Sequence, residues 1–177
     1  MLLEAGAEKD VAVDGPTALM IAAICGHLDC VRLLLGAGAN KDMKDDEGWT
    51  ALMLATDEGH ADCAQALLDA GADTNKANDT WTALMFAARE GHADCAQALL
   101  DAGADTDKTN DNGWTALMLA AREGHADCTQ ALLDAGADAS MTIAENDTCT
   151  ALDIAEMFGN DNVAKLLRCA RSRRRKK

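Results

Sequence analysis

The chain has 177 residues, of which 49% are hydrophobic and only 3% aromatic, so its core must be built from Ala, Leu and Met. Its formal charge of −14 is unevenly spread: residues 165–177 hold eight of the 16 basic residues and no acid, so residues 1–164 carry 8 − 30 = −22. An acidic body disfavours a nucleic-acid surface and favours basic partners. With no signal-peptide pattern and no apolar run near the roughly 18 residues that span a membrane, we expect a cytoplasmic protein without membrane insertion.

One pattern of about 33 residues recurs along the chain. TALM begins at residues 17, 50, 82 and 115, and the variant TALD begins at residue 150, so the intervals are 33, 32, 33 and 35. Such periodicity predicts a solenoid whose units stabilise their neighbours. The predicted units are a half-repeat at residues 1–11, repeats at residues 12–44, 45–76, 77–109, 110–144 and 145–169, and a basic tail at residues 170–177.

The half-repeat begins with MLLEAGA, which matches LLDAGA at residues 99–104, so the chain opens inside a second helix. Either this end is frayed, or residues that belong upstream are missing from the sequence.

Each full unit is predicted to hold two short helices. In the third repeat, Thr82 is a suitable N-cap for a first helix that ends at Gly91. His92 then opens a second helix, with Asp94 at its positive end. Helices this short are unstable alone in water, so they must pack on each other and on the next unit. The polar segments between units predict projecting, hairpin-like loops.

The order turn, Gly-x-Thr-x-Leu, Ala-Ala-x-x-Gly-His, Leu-Leu-x-x-Gly-Ala-Asp resembles the ankyrin repeat across residues 1–169. The resemblance implies an all-α solenoid of paired antiparallel helices with projecting loops, acting as a non-catalytic scaffold for protein partners. The chain departs from the family where Ala and Met replace the Pro and His of Thr-Pro-Leu-His, and where Asn160 and Asp153 mark a more polar end unit. Linker lengths also depart from the pattern, so we expect different loop shapes before Thr17, Thr82 and Thr150.

A repeated His-x-x-Cys suggests metal ligands at first sight. Zinc needs about four ligands within ~2.0–2.3 Å, whereas equivalent residues of packed helices lie about 8–10 Å apart. That spacing also exceeds the ~7 Å limit on Cα separation for a disulfide. We therefore interpret each Cys as a small buried apolar residue and each His as part of the interhelical turn. The pairs are His27 and Cys30, His60 and Cys63, His92 and Cys95, and His125 and Cys128.

A partial metal or redox site formed by Cys25, His27 and Cys30 is the weaker alternative, with Cys25 expected near the surface. The sequence contains no phosphate-binding glycine loop after a strand, no nucleophile elbow and no plausibly desolvated carboxylate pair. We predict that the protein is not an enzyme and uses no metal, cofactor or small-molecule substrate.

Three tryptophans indicate a binding surface, because Trp49, Trp81 and Trp114 each lie at the base of a loop, just before the capping Thr. By the resemblance, this position commonly contacts a partner, and stacking of units would place the three as a ladder along one edge. Trp is enriched at interface hot spots, and an acidic surround suits an interface rim. The alternative is that each Trp packs between adjacent loops. By the resemblance, the neighbouring variable positions are Asp46, Glu47, Asp57, Glu58, Asn78, Asp79, Arg89, Glu90, Asp111, Asn112, Arg122 and Glu123.

From these positions we predict that a monomer binds a basic or amphipathic protein segment on a concave, acidic, Trp-lined surface. One alternative is a regulatory part of a longer enzyme such as a kinase, because the chain begins inside a repeat. The other is a nuclear or nucleic-acid adaptor that acts through the tail, which is alternatively a contact to acidic lipid, a solvated end or a segment attracted to the acidic stack. The tail residues are Arg171, Arg173, Arg174, Arg175, Lys176 and Lys177.

Overall fold

A computed structural model of the protein describes residue 10 and residues 15–79, 81–143 and 146–174, with the backbone alone for residues 146–148, 173 and 174. Ten helices and two short antiparallel hairpins occupy these residues, which confirms the predicted all-α solenoid. They are α1 (Ala18–Ile24), α2 (Leu28–Gly36), α3 (Ala51–Asp57), α4 (Ala61–Asp69), β1 (Ala77–Asn78), β2 (Trp81–Thr82), α5 (Ala83–Glu90), α6 (Ala93–Asp101), α7 (Ala116–Glu123), α8 (Ala126–Asp134), β3 (Thr142–Ile143), β4 (Asn146–Thr150), α9 (Ala151–Met157) and α10 (Asp161–Arg174).

The helices form two layers. The first helices of successive units pack in the order α1, α3, α5, α7 and α9, and the second helices in the order α2, α4, α6, α8 and α10. The interior between the layers is aliphatic, and its largest fully buried side chains are Leu and Met with one Ile. In the described part of the chain, no helix has both the length and the apolar character needed to cross a bilayer.

Threonine caps start the first helices, as the sequence predicts. The backbone N–H of Met85 donates to Thr82 Oγ1 at 3.4 Å, and the other TALM units repeat this bond at 3.3 Å. In the last unit Asp153 replaces Met and accepts the Thr150 N–H at 2.9 Å and its hydroxyl at 2.5 Å. These bonds hold the pKa of Asp153 below its usual range. The polar end unit therefore has a reciprocal cap with a carboxylate acceptor, in which the Asp153 N–H also donates to Thr150 Oγ1 at 3.5 Å.

A ladder of His side chains joins each unit to the one before it. His92 Nε2 lies 3.1 Å from the carbonyl oxygen of Asp57, at the end of the preceding first helix. The same contact links His60 to Ile24 at 2.9 Å and His125 to Arg89 at 3.0 Å. These bonds satisfy carbonyls that a helix end would otherwise leave without a partner. In the last unit Asn160 Nδ2 takes this place, donating to the carbonyls of Ala121 and Arg122 at 2.9 and 2.8 Å.

The turn glycine is needed because each His ring lies against it. Gly91 has φ +80°, and a Cβ added there would lie 2.5 Å from His125 Nδ1. The same holds for Gly26 under His60 and Gly59 under His92, where the nearest ring atom would be 2.6 Å away. The recurring Gly-His of the sequence is therefore an interlock between successive units, and it confirms the assignment of His to the interhelical turn.

A second ladder ties the loops together. The N–H of Asp73 donates to Asp42 Oδ1 at 2.9 Å, and equivalent bonds join Asp105 to Asn75 and Asp138 to Asp107. Asn40 N–H donates likewise to Asp10 Oδ1 at 2.8 Å. Asp10 is the one residue of the predicted half-repeat that the structure describes, and the remainder of residues 1–11 lies outside the described part of the chain.

Loop shape differs from unit to unit where the linker lengths predict it. The segments at residues 45–49 and 110–114 are turns closed by a side chain, whereas β1 pairs with β2, and β3 pairs with β4 through an irregular register. The hairpins precede Thr82 and Thr150, so the expectation is confirmed at these two junctions. The third junction, before Thr17, includes residues 11–14, which lie outside the described part, as does Thr80.

The interpretation of the repeated Cys as a buried residue is wrong at one position. Cys63, Cys95 and Cys128 are buried, but Cys30 is exposed. Cys128 Sγ lies against the preceding unit, 3.8 Å from the carbonyl oxygen of Ala87. No described helix precedes α1, so Cys30 has no such neighbour among the described residues. Cys25 is exposed at the end of α1, as expected.

Replacing Gly91 by Ala tests the interlock, and Gly103→Ala is its matched control. Both glycines have φ near +80°, but a Cβ at Gly103 would meet no atom within 4 Å. Gly103→Ala should therefore cost only the strain of a left-handed residue, roughly 1–2 kcal/mol. Gly91→Ala also displaces the His125 ring and its hydrogen bond, which adds about 1 kcal/mol or more. Urea unfolding measures the loss of unfolding free energy in each variant.

The double variant Gly91→Ala/His125→Ala separates the two contributions. Without the ring, Gly91→Ala should cost about as much as Gly103→Ala, so the two substitutions at the interlock are coupled. Equal losses of unfolding free energy for Gly91→Ala and Gly103→Ala in the wild-type background would show that the His ring does not constrain the glycine.

Candidate functional site

Six of the 15 predicted partner-binding residues lie at the C-terminal ends of the first helices, and the other nine lie in the loops or at their bases. Two residues precede the turn glycine in each unit, and we call the set in units two to five the helix-end strip. The carbonyls of several strip residues are already held by the His ladder, which fixes the backbone from which the side chains project. The strip comprises Asp57, Glu58, Arg89, Glu90, Arg122, Glu123, Met157 and Phe158.

The first aromatic cluster joins two of the tryptophans through a residue that the sequence analysis did not select. The rings of Trp49 and Phe86 stack at a centroid distance of 4.5 Å, and Trp81 meets the same Phe86 ring at 5.5 Å. Phe86 is buried in α5, at a position where α3 and α7 have Leu54 and Leu119. Trp49 and Trp81 are therefore half-buried and support the fold while keeping part of each ring exposed.

Arg89 lies over this cluster and closes it. Its guanidinium carbon is 5.2 Å from the Trp81 centroid and 5.3 Å from that of Phe86, within cation–π range. Its nitrogens also lie 3.0 Å from Asp57 Oδ1 in the preceding unit and 2.5 Å from Glu90 Oε1. Arg89 thus links two successive units of the strip. These groups are partly exposed, so their ion pairs position side chains more than they stabilise the fold.

Asp57 is the strip residue whose titration is most altered. Burial raises the pKa of its carboxyl, and the Arg89 guanidinium opposes that rise. Because the guanidinium only partly offsets the burial, the folded protein binds a proton at Asp57 more readily than the unfolded chain does.

The second aromatic cluster is more open. The Arg122 guanidinium carbon lies 5.7 Å from the Trp114 centroid and 5.6 Å from the Phe158 centroid, within cation–π range of both rings. Its ion pair is with Glu123 at 3.5 Å. Within the described residues Trp114 makes no ring stack with Trp49 or Trp81, so the three tryptophans belong to two separate ring clusters.

Two residues missed in the sequence hold the tryptophans at the loop bases. Asp45 Oδ1 accepts the N–H of Glu47 at 3.0 Å and that of Trp49 at 2.8 Å. Asn110 Oδ1 accepts the N–H of Asn112 at 3.1 Å and that of Trp114 at 3.0 Å. An Asp or Asn four residues before Trp, followed by Gly at the third position, was the signal for such a turn.

The remaining predicted loop residues are placed around these turns. Asp46, Glu47, Asp111 and Asn112 are exposed beside the tryptophans. In the third unit Asn78 pairs with Trp81 across the hairpin, and the exposed Asp79 turns the chain with φ +42°.

Three of the four repeated cysteines, Cys63, Cys95 and Cys128, are buried in the interior between the helices. Burial raises the pKa of Cys95 and of Cys128 to about 11 and also raises that of Cys63, so all three remain protonated thiols and poor nucleophiles. Among the described residues, no group of three or more His, Cys, Asp or Glu side chains is arranged to hold a metal ion.

The predicted tail begins inside a helix. Helix α10 runs to Arg174, past residue 169 at which the last repeat was predicted to end. Arg171 is exposed on it, and Arg168 pairs with Glu156 at 2.7 Å. Arg173 and Arg174 are described by their backbone alone, and Arg175, Lys176 and Lys177 lie outside the described residues.

Comparison with known families gives a match along almost the whole chain. A family model described as "Ankyrin repeats (3 copies)" matches residues 1–78, 37–110 and 84–174. No curated protein matches the chain. Successive matches overlap, as expected when a three-unit pattern meets a longer array.

The pKa of Asp57 tests the electrostatics of the strip. Since this pKa is raised above its usual value of 3.8, the folded protein binds more protons than the unfolded chain between the two values. The free energy of unfolding contributed by Asp57 therefore falls as pH rises through that window. Arg89→Met removes the opposing charge and should raise the pKa further, whereas Arg122→Met, which is not in contact with Asp57, should leave it unchanged. Carbon-detected NMR titration of the Asp57 carboxyl measures this pKa in the wild type and in both variants. An unchanged pKa in Arg89→Met would contradict the role given to Arg89.

Proposed function

Since the chain belongs to the ankyrin-repeat family, whose repeats generally mediate protein–protein interactions, we propose that it is a non-catalytic scaffold for a protein partner. The partner segment is basic or amphipathic, and it binds along the concave side that carries the helix-end strip and the tryptophans. The observation that carries this proposal is that charged side chains at the C-terminal ends of successive first helices contact tryptophans at the loop bases, through Arg89 on Trp81 and Arg122 on Trp114.

Charge supports a basic partner. Among the 15 predicted positions are eight acids (Asp46, Glu47, Asp57, Glu58, Asp79, Glu90, Asp111, Glu123) and two arginines (Arg89, Arg122), so the surface carries 2 − 8 = −6. Most of these acids are exposed. A surface of one sign raises the association rate of an oppositely charged partner and sets its register.

The tryptophans support recognition of apolar side chains as well. All three are half-buried, which keeps their rings rigid and leaves part of each ring exposed to a partner. Rigid aromatic rings inside a polar rim are typical of the centre of a binding interface. The proposal therefore calls for a segment that is amphipathic as well as basic.

The perturbed titratable groups support a non-catalytic role. The cysteines with raised pKa values are buried and are thus less reactive than free cysteine. Burial raises the pKa of Asp57 and Arg89 of the adjacent unit opposes that rise, whereas the hydrogen bonds of the helix cap lower the pKa of Asp153. Each shift thus has a structural cause, and ankyrin-repeat domains are typically interaction modules.

Charge reversal on the strip tests the proposal. A displayed library of random 20-residue peptides is selected on the wild-type protein, and binding of the enriched peptides is then measured. Glu58→Lys/Glu90→Lys/Glu123→Lys should weaken binding about tenfold or more, because three exposed attractions become repulsions. The matched control is Asp69→Lys/Asp101→Lys/Asp134→Lys, which changes net charge by the same amount on the exposed faces of the second helices.

Tryptophan emission supplies the second readout. The chain has three Trp and no Tyr, so its intrinsic fluorescence reports on this surface alone. Binding of an enriched peptide should shift the emission in the wild type and in the control. Enriched peptides without a basic excess, or equal affinity for both triple variants, would contradict the proposed surface.

A further inference from the structure

The helix-end strip changes character along the stack. In three successive units it carries Asp57 with Glu58, Arg89 with Glu90, and Arg122 with Glu123. In the last unit the same two positions hold Met157 and Phe158, which are 72% and 52% exposed. Adjacent exposed side chains of this size form an apolar patch, and such a patch at the edge of a polar surface is typical of a binding site.

The apolar pair is continuous with the proposed interface. The Arg122 guanidinium lies within cation–π distance of both the Phe158 and the Trp114 rings, so one cation connects an exposed ring of the last unit to a half-buried ring of the unit before. Arg122 is 48% exposed and lies 3.5 Å from its acid, whereas Arg89 holds two acids at 3.0 and 2.5 Å. The second cluster is therefore the more adaptable of the two.

We propose that Met157, Phe158 and Trp114 bind a large apolar side chain at one end of the basic segment. This inference rests on the proposed function and adds the direction in which the partner segment binds. Its basic residues face the acids of units two and three, and its apolar anchor lies against the last unit. Charge complementarity supports this orientation, since the loop acids Asp46 and Glu47 lie with Glu58 in the second unit, while the end at Met157 and Phe158 has no charge at the two strip positions.

The spacing between the two ends limits the partner segment. Three steps between neighbouring units, each about 8–10 Å, place Phe158 about 24–30 Å from Glu58. A helix covers this distance with about 16–20 residues, and an extended chain with about 7–9. The separation of the apolar anchor from the basic residues in a bound peptide is thus restricted to one of these two ranges.

The test uses the random 20-residue peptide library selected on the full chain. Enriched peptides should contain basic residues and one large apolar residue at a restricted separation. Their affinity for Met157→Ser/Phe158→Ser should fall about tenfold or more, which is about 1.4 kcal/mol. Replacing the anchor of the peptide by Ser should abolish this difference between the two proteins. The conservative variant Phe158→Leu should retain most of the affinity.

Leu33→Ser is the matched control, because Leu33 is 66% exposed on α2 and lies outside the strip. It should leave affinity unchanged. Basic peptides that bind wild type and Met157→Ser/Phe158→Ser equally would overturn the anchor and leave the proposed scaffold function standing. Enriched peptides without basic residues would overturn both, and circular dichroism confirms that each variant is folded.

Discussion

The contact between a His ring and the turn glycine of the preceding unit is the constraint on which the rest of the structure depends. The ring fits only because the glycine has no side chain, and its nitrogen binds the carbonyl of the residue two places before that glycine. In the middle of the stack those carbonyls belong to Asp57 and Arg89, whose side chains belong to the proposed binding surface. The bond that sets the spacing of the units therefore also holds the backbone of that surface. Asn160 continues the same connection into the last unit.

Variation within the chain divides the residues by role. The positions that build the stack recur with little change: the capping Thr, the buried Leu, the turn Gly and the buried Cys or Ala around them. The two strip positions change from acid with acid, to Arg with Glu, to Met with Phe. Backbone geometry is thus nearly constant while the chemistry presented to a partner is not. The proposed partner segment would therefore meet a series of different contacts along the strip, and the proposed apolar anchor is the last of that series.

The sequence predicts the architecture well because each unit carries its own local signals. Thr82, Gly91, His92 and the apolar residues at helical spacing specify two helices without knowledge of any neighbour. Contacts between units are less predictable, because they depend on the rotation of one unit against the next. Phe86 is an ordinary apolar position in its own helix, and only the stacking brings it against Trp49 of the previous unit. The ion pair of Arg89 with Asp57 also joins two units. The exposure of Cys30 depends on its neighbours too, because no described helix precedes its unit. The Asx turns at Asp45 and Asn110 are local, and their spacing to Trp made them predictable.

The central proposal is that the residues between the two helix layers build the fold, while the loops and the ends of the first helices bind the partner. Nitrogen–proton correlation spectra, recorded with and without an enriched peptide, test it most directly because every described amide outside proline reports separately. Shifts should concentrate in the loops, in residues 57–58, 89–90, 122–123 and 157–158, and in the indole N–H groups of the three tryptophans. The amides of α4, α6 and α8 should change little. Shifts concentrated in those second helices, with unchanged indole signals, would contradict the account.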